Sequence, residues 1–154
     1  MGKLMDVKIP YKPRALQAEM HNSLKRWNVL VMHRRFGKTV FAVNQLIKTT
    51  LTCPLPRPRT AFVAPTFAQA KRIAWDYVKF YASVIPGVTF NETELRADFP
   101  NGGRLMLLSA ENPDALVVFT WMSAFLTSLA CRIQGYGGKL YGLLYLTDRA
   151  RLVF

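Results

Sequence analysis

The chain has 154 residues, 51% of them hydrophobic, which is enough for one domain with a real core and excludes a multidomain architecture. Lys and Arg number 21 against 9 acidic residues, a formal net charge of +12, so a polyanionic partner such as DNA, RNA or an anionic surface suits it, although many nucleotide-binding folds are basic without touching DNA. Cys53 and Cys131 form no disulfide framework or zinc cluster, residues 1–10 lack the apolar stretch of a secretory signal, and a reduced cytoplasm is the expected compartment.

Residues 14–27 set Leu16, Met20 and Leu24 four apart, the spacing of an amphipathic helix expected to end near Trp27-Asn28. Lys25 and Arg26 fall on its solvated face. Next, Val29-Leu30-Val31 reads as a short buried strand, Met32 to Phe36 as a tight loop, and Gly37-Lys38-Thr39 as the opening of a helix through Ile47. Strand, loop and helix in that order are the context in which Gly-Lys-Thr binds phosphate. Backbone N–H groups at the helix start converge on one point and the helix dipole favours negative charge there. Lys38 adds a mobile ammonium for the terminal phosphates, and Thr39 offers a hydroxyl to Mg²⁺. Met32 replaces the first glycine of the common Gly-x-x-x-x-Gly-Lys-Ser/Thr pattern, and the competing reading is an ordinary strand-to-helix turn with solvent-facing basic residues.

Pro54, Pro56 and Pro58 end the helix in a loop, and Thr60 to Val63 reads as the second strand. After the turn Ala64-Pro65-Thr66, a helix runs through Gln69, Ile73, Trp75, Tyr77, Val78 and Phe80, whose helical spacing assigns the aromatic residues to the core. Pro86-Gly87 closes that unit. Val88 to Phe90 and Glu94 to Phe99 read as short strands, and Asn101-Gly102-Gly103 as a hairpin turn before a strand from Arg104 to Ser109. Glu92, Glu94 and Asp98 fit the wet face of that hairpin better than a metal site.

Arg34-Arg35-Phe36-Gly37-Lys38-Thr39 resembles the deviant Walker A loop of the large terminase subunit, the motor ATPase that packages DNA into the heads of tailed bacteriophages. Tyr11-Lys12-Pro13-Arg14-Ala15-Leu16-Gln17 is similar to that family's adenine-recognition segment, and Thr60 through Trp75 to its second strand, Pro-Thr turn and following helix. The resemblance spans residues 9–116 and implies an α/β fold of the P-loop NTPase type, three-layer αβα with a mainly parallel sheet, here incomplete. It implies ATP and Mg²⁺ as cofactors, with Gln17 on adenine, Lys38 on the β- and γ-phosphates, Thr39 on Mg²⁺, and Gly37 as part of the nucleotide-binding loop. Arg34 would act on the γ-phosphate as an in-chain arginine finger, with Arg35 able to take its place; a solvated basic turn is the alternative for both. The implied partners are double-stranded DNA and, in the parent enzyme, the small terminase subunit and the portal protein, in the cytoplasm of a bacterial host and without a membrane.

After Asn112-Pro113-Asp114-Ala115-Leu116 the character of the chain changes. Residues 115–131 carry no charge, and residues 117–154 contain one acid, Asp148, so the Walker B carboxylates that the resemblance requires are missing. A membrane helix is one reading, at the lower edge of a spanning length and weakened by Thr120, Ser123, Thr127 and Ser128. A shifted frame explains more. Codons permitted by Val117 to Met122, read one nucleotide back, can spell R-G-I-Y-L-D, and the continuation can spell V-C-V-F-D-E-F-G-L-Q-N-P without a forced stop. That string supplies the missing Arg-Gly pair and an apolar strand ending in D-E. The expected division is therefore residues 1–116 as the N-terminal part of a terminase-like ATPase domain and residues 117–154 as an out-of-frame tail, following a single-base loss at the Leu116/Val117 boundary. Such a chain lacks the acid that orients the attacking water and is expected to bind nucleotide weakly or not at all and to show no significant ATP hydrolysis. A small basic nucleic-acid-binding protein, or a membrane-associated one, is the alternative.

Overall fold

The computed structural model describes residues 8–25, 27–33, 35–54 and 56–111, together with the backbone of 123–127 and 142–147. Helix α1 (Ala15–Ser23) starts where the Gln17 side chain turns back to accept from the backbone N–H of Arg14 at 3.0 Å. It stops short of the expected Trp27-Asn28 end. The Asn28 side chain clasps both backbone groups of Lys25, accepting from its N–H and donating to its C=O, a local bond that competes with helix continuation. Its rotation also differs from the Leu16-Met20-Leu24 expectation. Met20 and Leu24 pack on the core, but Leu16 is exposed and the buried residue is Gln17.

Strand β1 (Trp27–Val31) forms where expected but is not buried: Leu30 is half-buried, whereas Val29 and Val31 are exposed, because β1 is the outermost strand of the sheet. It leads through the loop into α2 (Lys38–Thr52), which buries Phe41, Ala42, Val43, Leu46 and Ile47. The Pro-rich loop returns the chain to β2 (Arg59–Ala64), and Thr66 caps the next helix by accepting from the Gln69 N–H at 3.1 Å. That helix runs as α3 (Phe67–Ala70), a π-helical turn (Lys71–Trp75) and α4 (Asp76–Ala82). The extra residue of the π turn shifts the helical face. Trp75 enters the core as expected, together with Val78, whereas Tyr77 and Phe80 remain exposed, contrary to the core assignment of the aromatic residues; Ile73 is exposed as well. Strands β3 (Thr89–Asn91), β4 (Arg96–Asp98) and β5 (Arg104–Ser109) follow as a meander.

The result is a small α/β domain with an open, mixed sheet. Its core half has the order β2-β5-β4-β3, with β2 and β5 parallel and the other two pairings antiparallel. The expected mainly parallel sheet is not observed, because the short turns joining β3, β4 and β5 permit only antiparallel neighbours. Two backbone strands from the expected tail, β6 (Ser123–Thr127) and β7 (Gly142–Thr147), lie between β2 and β1 and complete the order β1-β7-β6-β2-β5-β4-β3. Strand β6 runs parallel to β2, while β7 is antiparallel to both β6 and β1.

Phe62, Leu105 and Leu107 point toward α2 and the π turn and form the centre of the core. Among the described residues α2 touches both α4 and the π turn on this one face, and no second helical layer occurs among them. No described helix is long and apolar enough to cross a membrane, and of the uncharged run 115–131 only the strand Ser123–Thr127 is described.

The hairpin acids are all paired with bases, and no metal-binding cluster occurs among the described residues. Arg96 pairs with Glu94 and Asp98, and Arg104 Nε lies 2.7 Å from Asp98. Glu92 accepts from Trp75 Nε1 at 2.7 Å and from Lys79 Nζ at 3.1 Å. These bonds, Lys79's first, hold the Glu92 carboxyl below the usual carboxylate range.

Candidate functional site

The loop between β1 and α2 starts from Met32, which is buried, and ends at Gly37, the N-cap of α2. Two residues take the left-handed conformation: Arg35 at φ 65° and Gly37 at φ 87°. Lys38 Nζ reaches back to donate to the carbonyls of Met32 at 2.9 Å and His33 at 3.1 Å, closing the loop on itself. His33 stands edge-on to the Phe36 ring, with centroids 5.6 Å apart.

Gly37 has no side chain with which to cap α2, and the first turn of the helix carries no acid. The N–H groups of that turn lack carbonyl partners within the helix, and the dipole of a 15-residue helix makes its start attractive to an anion. Thr39 is half-buried beside Lys38 in this turn. Arg34 lies outside the described residues, so its expected arginine-finger role has no geometry here; Arg35 is exposed.

Gln17, singled out from a separate segment, meets the loop. It is 4% exposed, and its Nε2 donates to the carbonyl of Phe36 at 3.0 Å across 19 residues of sequence. The same nitrogen stands 3.0 Å from the position a Cβ would take at Gly37. Gln17 thus braces the loop backbone through one end of its amide while the other end accepts from Arg14. Gly37→Ala is expected to destabilise the protein by about 1–3 kcal/mol, from the left-handed strain of a non-glycine residue and the crowding of Gln17; the shift in the urea midpoint measures it.

One part of the site was not anticipated from sequence. His21 lies one turn beyond Gln17 on the same face of α1, and its Nδ1 is 2.6 Å from Gln45 Oε1 on α2. Its Nε2 is 3.0 Å from the hydroxyl of Tyr11. The i, i+4 spacing of Gln17 and His21 was the available signal. Burial, reinforced by Tyr81, pushes the Tyr11 hydroxyl up to about 12. Burial lowers the pKa of His21 below its ordinary value; the Gln45 bond opposes this and the Lys48 charge adds to it.

No protein-family model matches the chain, and neither a curated protein nor a solved structure matches it.

Proposed function

We propose that this chain is the N-terminal, ATP-binding part of a large terminase subunit, a phage DNA-packaging motor ATPase, interrupted after Leu116. The observation that carries the reading is the meeting of two separately recognised segments, with the Gln17 amide seated on the loop backbone at Phe36 and Gly37, directly before Lys38. On this reading the domain is the remnant of a three-layer P-loop NTPase. Lys38 would exchange its two loop carbonyls for the β- and γ-phosphates, Thr39 would hold Mg²⁺, and Gln17 would present its remaining amide capacity to adenine. Bound Mg·ATP supplies the phosphoryl group whose hydrolysis drives DNA translocation in a complete motor, in the cytoplasm of the bacterial host and with small terminase subunit and portal protein as partners.

Hydrolysis also requires an acid to orient water and a second hold on Mg²⁺. Both would come from the Walker B strand, whose carboxylates the chain lacks. Purified wild-type protein is therefore expected to release phosphate from Mg·ATP no faster than Lys38→Ala does. Turnover that depends on Lys38 would overturn the assignment of inactivity. Sequencing the coding DNA across Leu116 and Val117 tests the identity itself. A second frame that stays open and encodes a strand ending in D-E supports an interrupted terminase, whereas an open reading only in the present frame removes that reading.

A further inference from the structure

We propose that the outward face of α4 is a stacking platform for the bases of a single-stranded nucleic acid, with Tyr77 and Phe80 as the contacting rings. The inference goes beyond the nucleotide reading and does not rest on it, since this helix follows β2 and contributes nothing to the loop before α2.

The face is what the π turn leaves outside. Trp75, Val78 and Ala82 point into the core. The opposite side carries Ile73, Tyr77 and Phe80, with Val84 just past the end of α4, at the spacing of one helical stripe. Phe80 is 59% exposed and Tyr77 42%. Single exposed apolar residues are ordinary, but a contiguous stripe marks a contact surface.

The two rings are braced before any ligand arrives. Tyr81 packs on the core and meets Tyr11 edge-on, with centroids 6.0 Å apart. Against Tyr81, Tyr77 lies nearly parallel, with 15° between the planes and 6.5 Å between centroids, and Phe80 stands edge-on at 5.0 Å. Rings held in this way lose little rotamer freedom when something stacks on them.

Charge and shape select the occupant. Arg72 precedes Ile73 at one end of the stripe. At its other flank, Lys12 follows Tyr11 in the chain, and the Lys48 charge acts on His21, whose ring lies 5.7 Å from that of Tyr11. None of these three cations has an ion pair among the described residues. The acid of the helix, Asp76, is held by Lys79 at 3.5 Å. The surroundings are therefore cationic, on a chain of net charge +12, and suit a polyanion. A protein partner fits less well. The stripe exposes about 400 Å² of side chain, half of the roughly 800 Å² per partner in a stable protein interface. Helix α4 has seven residues and presents a ridge, whereas an amphipathic partner helix needs a groove. A base needs only an exposed ring with cations near its phosphates. Bases inside an intact duplex cannot reach such rings, so the strand must be single.

Fluorescence anisotropy tests this with the full chain, without ATP, on a labelled oligothymidylate of about 12 nucleotides. Wild-type protein is expected to bind it with an affinity that falls as salt rises. The double variant Tyr77→Ala/Phe80→Ala should bind about tenfold more weakly or worse, the scale of losing one or two base stacks, while Tyr77→Phe and Phe80→Tyr keep their ring faces and stay within about twofold. Both rings face water, so the urea midpoint of the double variant is expected at the wild-type value. A strand of equal length with abasic sugars keeps the phosphates and removes the bases. Wild-type protein should hold it about tenfold more weakly than the thymidine strand, and this comparison needs no variant at all. No binding of the thymidine strand, or equal binding of the abasic one, or undiminished binding by the double variant at an unchanged midpoint, each overturns the proposal. So does a wild-type dimer in light scattering that Phe80→Ala dissociates, because the stripe would then be a contact between copies.

Discussion

Trp75→Ala is expected to cost about 3–5 kcal/mol, the range for emptying a buried tryptophan site. Trp75 is 1% exposed and occupies the last position of the π turn, where it meets the Phe90 ring edge-on with centroids 6.1 Å apart. Its Nε1 donates to Glu92, which also binds Lys79 of α4. Truncation therefore opens a cavity beneath the helix and releases the tie between that helix and the end of β3. Trp75→Phe keeps most of the apolar volume and loses only the indole donor, so its loss should be a minor fraction of the alanine effect. Urea midpoints followed by far-UV circular dichroism check both. A loss below about 1 kcal/mol for the alanine variant would mean that Trp75 is not a core residue.

Gly103→Ala is expected to cost about 3 kcal/mol, at the upper end of the overpacking range. An added Cβ would lie 2.6 Å from Thr50 Cγ2, 2.8 Å from Asn101 Oδ1 and 3.0 Å from Pro58 Cγ. None of these atoms can move cheaply. Thr50 is fixed by bonds from its Oγ1 to the Leu46 carbonyl at 2.8 Å and to Thr60 Oγ1 at 2.7 Å. Asn101 is fixed by donating to the Thr50 carbonyl at 2.7 Å and accepting from the Gly103 N–H at 2.9 Å. Pro58 is a ring. Thr50→Ser removes the clashing methyl and keeps the hydroxyl, so the double variant should recover part of the loss. Stability that simply adds across the two changes would contradict this contact.

The order of strand, loop and helix around Gly37-Lys38-Thr39 was legible because each part is specified within a few residues. Apolar residues make the strand, glycine allows the left-handed N-cap, and the three prolines stop α2. The Asn101-Gly102-Gly103 turn was legible for the same reason, with Gly102 at φ 78°. Reading the helices from apolar spacing succeeded only in part. Leu16 was placed inside and is 62% exposed, because the polar Gln17 has a better use there, satisfying the loop carbonyl and the start of its own helix. Tyr77 and Phe80 were placed inside and stand outside, because a π turn changes the angular step that the spacing assumes.

Local residue chemistry thus suffices to locate β1, the loop, α2, β2 and the final hairpin, and to single out Gly37, Lys38 and Thr39, since each depends on preferences of near neighbours; Gln17 was singled out only by the family resemblance of residues 11–17. The assembled fold alone decides that Gln17 braces Phe36, that His21 meets Gln45 and Tyr11, and that Gly103 has no room for a methyl group. It also decides that β2 pairs with β5 across the sheet. Each of these is a contact between groups far apart in the chain, set by which surfaces are buried together, and no local preference encodes it.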